Sequence, residues 1–401
     1  MKILIADKFE AWGIEQLTAL GAEIRSEPGL KGDALKTVLR EYAPELLIVR
    51  STKVPADVIA AAERLQGIVR AGSGVDNIDV DAASKRGIMV ANCPGMNSAA
   101  VAELTIGLMI ALDRRIPDNV SEFRAGRWKK KEFSKSHGLK GRTLGIIGAG
   151  AIGTCVARAA LALDMNVLYY HLGRHRRFAD HPACRRVDLD DLLRQSDVVS
   201  IHIPGGASTK NLIDAQRLAL MKPTAMLLNT SRAGIVDEAA LAEALKAGKL
   251  RCAGLDVFDN EPTADAETAT SPLQGLPNCY VTHHIGASTE EAQMAVAAET
   301  VRIVQHYRAT GVLLNMVNTK NPSTNCMLVV RLVNRPGGLA HVFKEIAEAN
   351  INAEEMDHFI YNGGEAACAH IRISTRPDVQ VLRRIREGHA NVLGVEVMQV
   401  E

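Results

Sequence analysis

The stretch Leu144–Arg177, LGIIGAGAIGTCVARAALALDMNVLYYHLGRHRR, decides the fold. A short apolar run ends at Gly148-Ala-Gly150-Ala151-Ile152-Gly153, and a helix-patterned segment follows. Strand, then G-x-G-x-x-G, then helix is the context in which such glycines hold a dinucleotide. The first glycine makes the tight turn, the second lets backbone approach a pyrophosphate, and the third lets helix and strand pack closely. Free amides and the positive end of the helix favour the phosphates. An acid is expected about 20 residues further on, bonded to the adenosine ribose 2′-hydroxyl. His171 stands there instead, followed by Arg174, Arg176 and Arg177. A carboxylate repels a 2′-phosphate; histidine does not, and arginines pair with one. The cofactor is therefore NAD or NADP, with His171 and Arg174 pointing to NADP.

The whole chain narrows the partners. Its 401 residues suggest two or three domains. Lys and Arg number 47 against 46 Asp and Glu, so no charge excess argues for nucleic acid or an acidic membrane. Seven cysteines lie scattered without C-x-x-C spacing, which fits reduced thiols rather than a disulfide framework or a zinc site, and no metal is expected. The start, MKILIADKFE, reaches Asp7 too early for a signal peptide. The longest apolar passage, Ala99–Leu112, carries Glu103 and is too short to span a bilayer. A soluble, cytoplasmic protein is expected.

Strand-length apolar runs alternate with helical patterns over the first 315 residues or so. KILIAD (2–7), ELLIVRS (45–51), GIVRAG (67–72) and IMVAN (88–92) form one series. RTLGIIGAG (142–150), NVLYYH (166–171), DVVSIHI (197–203), TAMLLNT (224–230), RCAGLDVF (251–258) and CYVTHH (279–284) form a second. Such alternation predicts parallel sheets covered on both faces, here in two Rossmann-like lobes. The segment 98–114 reads as a helix crossing between lobes, and 288–307 as a long amphipathic helix returning to the first. The first lobe is thus discontinuous: residues 1–94 with 285–318, around a nucleotide lobe at 95–284. A polar linker at 319–325 precedes a tail, 326–401, whose strand and helix order predicts an α+β, ferredoxin-like module.

Ionisable residues gather at strand ends of the second lobe: Arg232 in NTSRAGIVDE, Asp256 and Glu261 in GLDVFDNEP, and His284 in VTHHIGAST. Ligands bind outside the carboxyl ends of such strands. Hydride transfer at C2 of a 2-hydroxy acid needs a cation to grip the carboxylate, and an arginine does so bidentately. It needs an acid/base near neutral pH, which histidine supplies. A carboxylate beside that histidine fixes its tautomer and raises its pKa. Singly these residues read as an ion pair, a turn acid and a core histidine; with the glycine loop they read as one site.

These motifs together resemble the D-isomer-specific 2-hydroxyacid dehydrogenases, as do LIVRSTKV, RAGSGVDNID and NCPGMNSAAVAEL. The tail with NRPGGL resembles an ACT regulatory domain. The resemblance covers nearly the whole chain. It implies Arg232 as carboxylate anchor, Glu261 as orienting acid and His284 as acid/base, with His283 standing where the family commonly has proline. It implies Asp256 near the nicotinamide amide, His202, Pro204, Thr230 and Gly286 along the cofactor, and Arg50, Ser51, Gly74 and Asn77 around the substrate. In GRWKKKEF, it implies Lys130, with Lys129 or Lys131 as alternatives, as a cation lent to a partner subunit's substrate phosphate, in a homodimer or homotetramer. Asn334 and Asn352 match effector positions for L-serine or another amino acid; Leu332 stands where the serine-inhibited type commonly carries histidine. The activity implied is oxidation of D-3-phosphoglycerate to 3-phosphohydroxypyruvate, the first step towards serine. A glyoxylate or hydroxypyruvate reductase using NADPH is the alternative, and a non-enzymatic nucleotide sensor would have no need of Arg232 and His284.

Overall fold

The computed structural model describes residues 1–171, 183–262, 268–320 and 325–400. They divide into two compact units, Met1–Asn318 and Thr319–Glu401.

The first unit contains two parallel sheets. One comprises β1 (Lys2–Ile5), β2 (Glu23–Ser26), β3 (Leu46–Val49), β4 (Gly67–Arg70) and β5 (Met89–Asn92), in the order β2-β1-β3-β4-β5. The other comprises β6 (Thr143–Ile147), β7 (Asn166–Tyr170), β8 (Cys184–Arg186), β9 (Val198–Ile201), β10 (Met226–Asn229), β11 (Cys252–Leu255) and β12 (Cys279–Val281), in the order β12-β11-β10-β9-β6-β7-β8. Central strands such as Leu46–Val49 and Met226–Asn229 are buried at every residue, because helices cover both faces and alternation would expose nothing. The order reverses between β1 and β3, and between β6 and β9. Each reversal opens a crevice beyond the carboxyl ends of the strands.

Two helices join the lobes. Ser98–Arg114 buries Ala102, Leu108, Met109 and Leu112 in the core of the second sheet. Glu290–Thr310 packs Ile303, Val304 and Tyr307 against Ile3, Ile5 and Leu46 of the first. Its ends are set locally: the Thr289 side chain accepts from the Ala292 amide, and Gly311 closes the helix at φ 75°.

β2 and β8 belong to neither apolar series in the sequence. Both are short polar edge strands, EIRS and CRR, held by their ladders with β1 and β7 rather than by a buried face.

The second unit is the α+β module. β13 (Cys326–Val333), β14 (Ala353–Ile360), β15 (Ala366–Ile373) and β16 (Val392–Gln399) form an antiparallel sheet in the order β14-β15-β13-β16. Helices Gly338–Glu348 and Val379–Glu387 contribute Val342, Ile346, Val381 and Ile385 to a core with Leu328, Val330, Leu332, Ile371 and Ile373. This is the ferredoxin-like, ACT-like arrangement.

Candidate active site

The glycine loop lies at the β6/β9 reversal. Gly148 has φ 107°, and a Cβ there would fall 2.4 Å from the His202 carbonyl oxygen. A Cβ on Gly153 would fall 2.1 Å from the Gly148 oxygen, so helix and strand approach as closely as backbone permits. A Cβ on Gly150 would meet nothing within 4 Å. Gly150 also caps the helix Ala151–Ala162 without any side-chain acceptor. The first-turn amides of Ala151, Ile152 and Gly153 have no intrahelical acceptor, in the arrangement that receives a pyrophosphate. The residues present fit a dinucleotide.

Around this loop His202 is half-buried, and desolvation of its ring pushes its pKa down to about 3, so the ring is neutral. Its Nε2 lies 2.8 Å from Ser200 Oγ, and its Nδ1 has no partner among the described residues. The Pro204 carbonyl accepts from Thr209, and buried Thr230 shares a 2.8 Å hydrogen bond with Thr105. His171 lies just past β7, and its carbonyl accepts from Arg186 at 2.9 Å. Arg186 drew no notice in the sequence. Arg174, Arg176 and Arg177 lie outside the described residues.

The structure brings Glu261 and His284 together. His284 adopts a left-handed φ of 52°, and its Nδ1, rather than that of His283, sits 2.7 Å from Glu261 Oε2. The Glu261 hydrogen bond is the chief cause of a raised His284 pKa, reinforced by the charges of Glu261 and Asp256 against burial and Arg232. Asp256 is 1% exposed and organises the loop beyond β12. Its Oδ1 accepts from the Thr282 hydroxyl at 2.6 Å and the Ile285 amide at 2.9 Å, and its Oδ2 from the Gly286 amide at 2.8 Å. Asp256 thus braces the chain around His284, through the Thr282 side chain before it and two backbone amides after it.

Arg232 reaches across to the first lobe, its Nε donating to Asp76 Oδ2 at 2.6 Å. A Cβ on Gly74 would stand 2.0 Å from Arg232 Nη2, so any side chain there would displace the guanidinium. Beside it lie Arg50 and Arg70. Burial, and then the charges of Arg232 and Arg50, lower the Arg70 pKa, although a guanidinium stays charged. Arg70 donates its Nε to the Arg50 carbonyl, and its guanidinium is in no ion pair among the described residues. Lys8, Glu10, Arg50, Arg70, Asn97 and Gln293 line one pocket there.

Of the other residues expected around the substrate, the Ser51 hydroxyl donates to Asp7 at 3.0 Å, and the Asn77 amide donates to the Thr52 carbonyl at 2.7 Å. Both hold the loop that carries Arg50. Lys130 is exposed at the start of the short helix Lys130–Phe133, and its ammonium is in no ion pair among the described residues. In the tail unit, Asn334 Nδ2 donates to the Gly364 carbonyl at 2.8 Å, and the Asn352 amide donates to Ser374 Oγ at 2.9 Å. Leu332 is buried in that unit's core and presents no polar atom.

Sequence reasoning missed Asp7, Arg70, Asp76, Glu238 and Lys8. Only Arg70 carried a usable signal, an arginine closing an apolar strand.

A dinucleotide cradle at one reversal, with an imidazole–carboxylate pair and an arginine at neighbouring strand ends, defines a nicotinamide-dependent dehydrogenase. A profile described as D-isomer specific 2-hydroxyacid dehydrogenase, NAD binding domain, matches residues 106–286. The D-3-phosphoglycerate dehydrogenase of Methanocaldococcus jannaschii is 38% identical over 368 residues, 90% of this chain and 68% of its own. The hydroxypyruvate reductase of Thermotoga maritima is 44% identical over 280 residues, 70% of this chain and 89% of its own. The crystal structure of a glyoxylate reductase from Paecilomyes thermophila aligns with a TM-score of 0.72 at 30% identity, covering 79% of this chain and 98% of that one. This chain belongs to the D-isomer-specific 2-hydroxyacid dehydrogenases. It spans 53% to 68% of the length of the phosphoglycerate dehydrogenases from Synechocystis, Archaeoglobus fulgidus and M. jannaschii. Among the described residues no helix is long and apolar enough to cross a membrane.

Proposed function

We propose that this enzyme oxidises D-3-phosphoglycerate to 3-phosphohydroxypyruvate with NAD(P), opening the route to serine. The observation that carries the choice of substrate is the pocket beside Arg232 in which Arg50, Arg70 and Lys8 outnumber the single carboxylate of Glu10. A 2-hydroxy acid with one carboxylate needs one guanidinium, and a phosphorylated one needs further positive charge. The M. jannaschii relative, whose match extends over 90% of the chain, supports the same reading.

Arg232 holds the substrate carboxylate and so orients C2. The nicotinamide, when bound, supplies the hydride acceptor. His284 removes the proton from the C2 hydroxyl through Nε2, because Nδ1 is committed to Glu261. Glu261 stabilises the imidazolium that forms, and Asp256 keeps the His284 loop in place. In the reverse direction the same imidazolium returns the proton.

At the adenosine end, His171 replaces the carboxylate and Arg186 stands beside it, which supports NADP as the preferred nucleotide. Exposed Phe123 and Trp128 support pairing of two subunits, with Lys130 reaching the partner's substrate phosphate. The tail unit serves as a regulatory module, with Asn334 and Asn352 placed for an amino-acid effector such as L-serine. Seven free thiols support a cytoplasmic setting.

The experiment is kcat/KM for 3-phosphohydroxypyruvate and for hydroxypyruvate, each with NADH and NADPH. Preference for the phosphorylated acid is expected. Preference for hydroxypyruvate would make this enzyme a reductase and leave the cationic pocket without its phosphate. In parallel, His284→Ala should cost about a thousandfold in kcat with nucleotide binding intact.

A further inference from the structure

The acid/base pair rests on a turn that is itself held from beneath. Glu261 Oε1 accepts from the Phe258 amide at 2.9 Å, while its Oε2 meets His284. Between them the Asp259 amide donates to Glu238 Oε1. Glu238 Oε2 accepts the Ser271 hydroxyl at 3.1 Å, and Ser271 Oγ accepts the Leu273 amide at 3.2 Å. Glu238 opens the helix Glu238–Lys246 and is 5% exposed. One buried carboxylate therefore ties a rigid helix to the turn bearing Glu261 and to the chain beyond that turn. Burial raises the Glu238 pKa, and the charges of Asp259 and Glu261 add to the rise. A buried carboxylate near two others is costly to keep, and its hydrogen bonds only partly offset that cost.

The geometry points to Glu238 as a positioning residue for proton transfer, acting through the 258–261 turn on the Glu261–His284 contact. The inference rests on the reading of Glu261 and His284 given above. Glu238 bonds to neither His284 nor Arg232; it sets where Glu261 stands. Without it the turn relaxes, the contact to Nδ1 lengthens, and the imidazole loses the chief cause of its raised pKa.

The test uses the full chain as Glu238→Ala, Glu238→Gln and Ser271→Ala, with kcat, KM, NADH affinity and the pH profile of kcat/KM for oxidation. Glu238→Ala should lower kcat about tenfold with KM and NADH affinity little changed. Its low-pH limb should move to lower pH, because the base is then less basic. Glu238→Gln keeps an oxygen for Asp259 and a donor for Ser271, and should recover most of kcat and the original limb. Wild-type kcat and limb in Glu238→Ala would overturn the proposal. So would a loss shared equally with nucleotide affinity and without a moved limb, the mark of a merely structural role. If Glu238→Ala does not fold, Ser271→Ala decides: a smaller shift in the same direction supports the clamp, and an unmoved limb overturns it. His284→Ala keeps the two claims apart. Turnover surviving there sinks the acid/base reading, whereas a dead His284→Ala beside a normal Glu238→Ala sinks the clamp alone.

Discussion

The strand order reverses between β1 and β3 in one lobe and between β6 and β9 in the other, and the two crevices are filled in opposite ways. At the first, Asp7 follows β1 and accepts from the amides of Arg50, Ser51 and Thr52 at 2.6, 3.1 and 3.0 Å, and from the Ser51 hydroxyl. A side chain of the protein takes the place that an anion would occupy. At the second, Gly150 carries no side chain, and the helix behind it has no side-chain cap. One topology thus yields two products. A self-satisfied crevice becomes a rigid mount for Arg50, and an unsatisfied one becomes a nucleotide site. Backbone amides need an acceptor in either case; what differs is whether the chain supplies it.

The strongest way to break this contrast is to make the second crevice like the first. Gly150 has φ −78°, within reach of any residue, and space for a Cβ. Gly150→Asp should therefore fold, yet lose about a hundredfold in NADH affinity by fluorescence titration, through charge repulsion and occupied amides. Unchanged affinity would refute the amide cradle.

Next in size is Glu261→Gln, which tests a carboxylate that acts on a side chain rather than on backbone. We expect kcat for oxidation to fall about tenfold or more. The sign of the pH effect follows from the raised His284 pKa, whose first cause is the Glu261 hydrogen bond. In the proposed mechanism oxidation requires neutral His284, so the rate is expected to rise with pH through that pKa. Removing the Glu261 charge lowers the pKa and moves the limb to lower pH. An unmoved limb in the pH–rate profile would dissociate Glu261 from the proton transfer.

Asp7→Ala empties the first crevice and should raise KM for the acid substrate about tenfold with NADH affinity unchanged, since only the Arg50 mount is lost. Burial pushes the Asp7 pKa up, but hydrogen bonds from Arg50, Thr52 and Ser51 outweigh it and hold the pKa below its ordinary value. A lowered folded-state pKa contributes stability that is present above the unfolded pKa and lost as pH falls through the folded one. The melting-temperature gap between wild type and Asp7→Asn should therefore be wide near pH 7 and narrow as the pH falls below the ordinary aspartate range. A gap independent of pH would mean that Asp7 acts by packing alone.

Smallest is His171→Asp at the edge of the nucleotide crevice. Restoring a carboxylate should lower the NADPH-to-NADH ratio of kcat/KM severalfold, roughly fivefold. An unchanged ratio would leave cofactor choice to residues beyond His171.

Much of the architecture was legible because it is written locally. The apolar runs at 46–49 and 226–229, the helix Ser98–Arg114 and the glycine loop each declare themselves within a few residues. The site motifs were legible as residue types at strand ends, which is why Arg232, Glu261 and His284 could be singled out. Polar edge strands were not legible, since Glu23–Ser26 and Cys184–Arg186 have no apolar period and exist through their neighbours' ladders. Nor were the braces. Asp7 meets a loop 43 to 45 residues away, and Arg232 meets Asp76 across 156. The hydrogen bonds of Ser51 to Asp7 and of Asn77 to the Thr52 carbonyl show the same limit, since both partners are read only from the structure.

The sequence by itself determined two parallel-sheet lobes, an α+β tail, a glycine loop ready for phosphates, and an inventory of arginine, acid and histidine suited to hydride chemistry. Periodicity and turn chemistry act over short distances, so they survive in one dimension. Only the tertiary structure decided which acceptor satisfies which amide: that Asp7 closes one crevice while Gly150 leaves the other open. It also decided that Arg70 stands beside Arg50 and Arg232 in no ion pair among the described residues, and that Glu238 underlies the turn bearing Glu261. Those outcomes depend on where distant strand ends meet, which folding alone fixes.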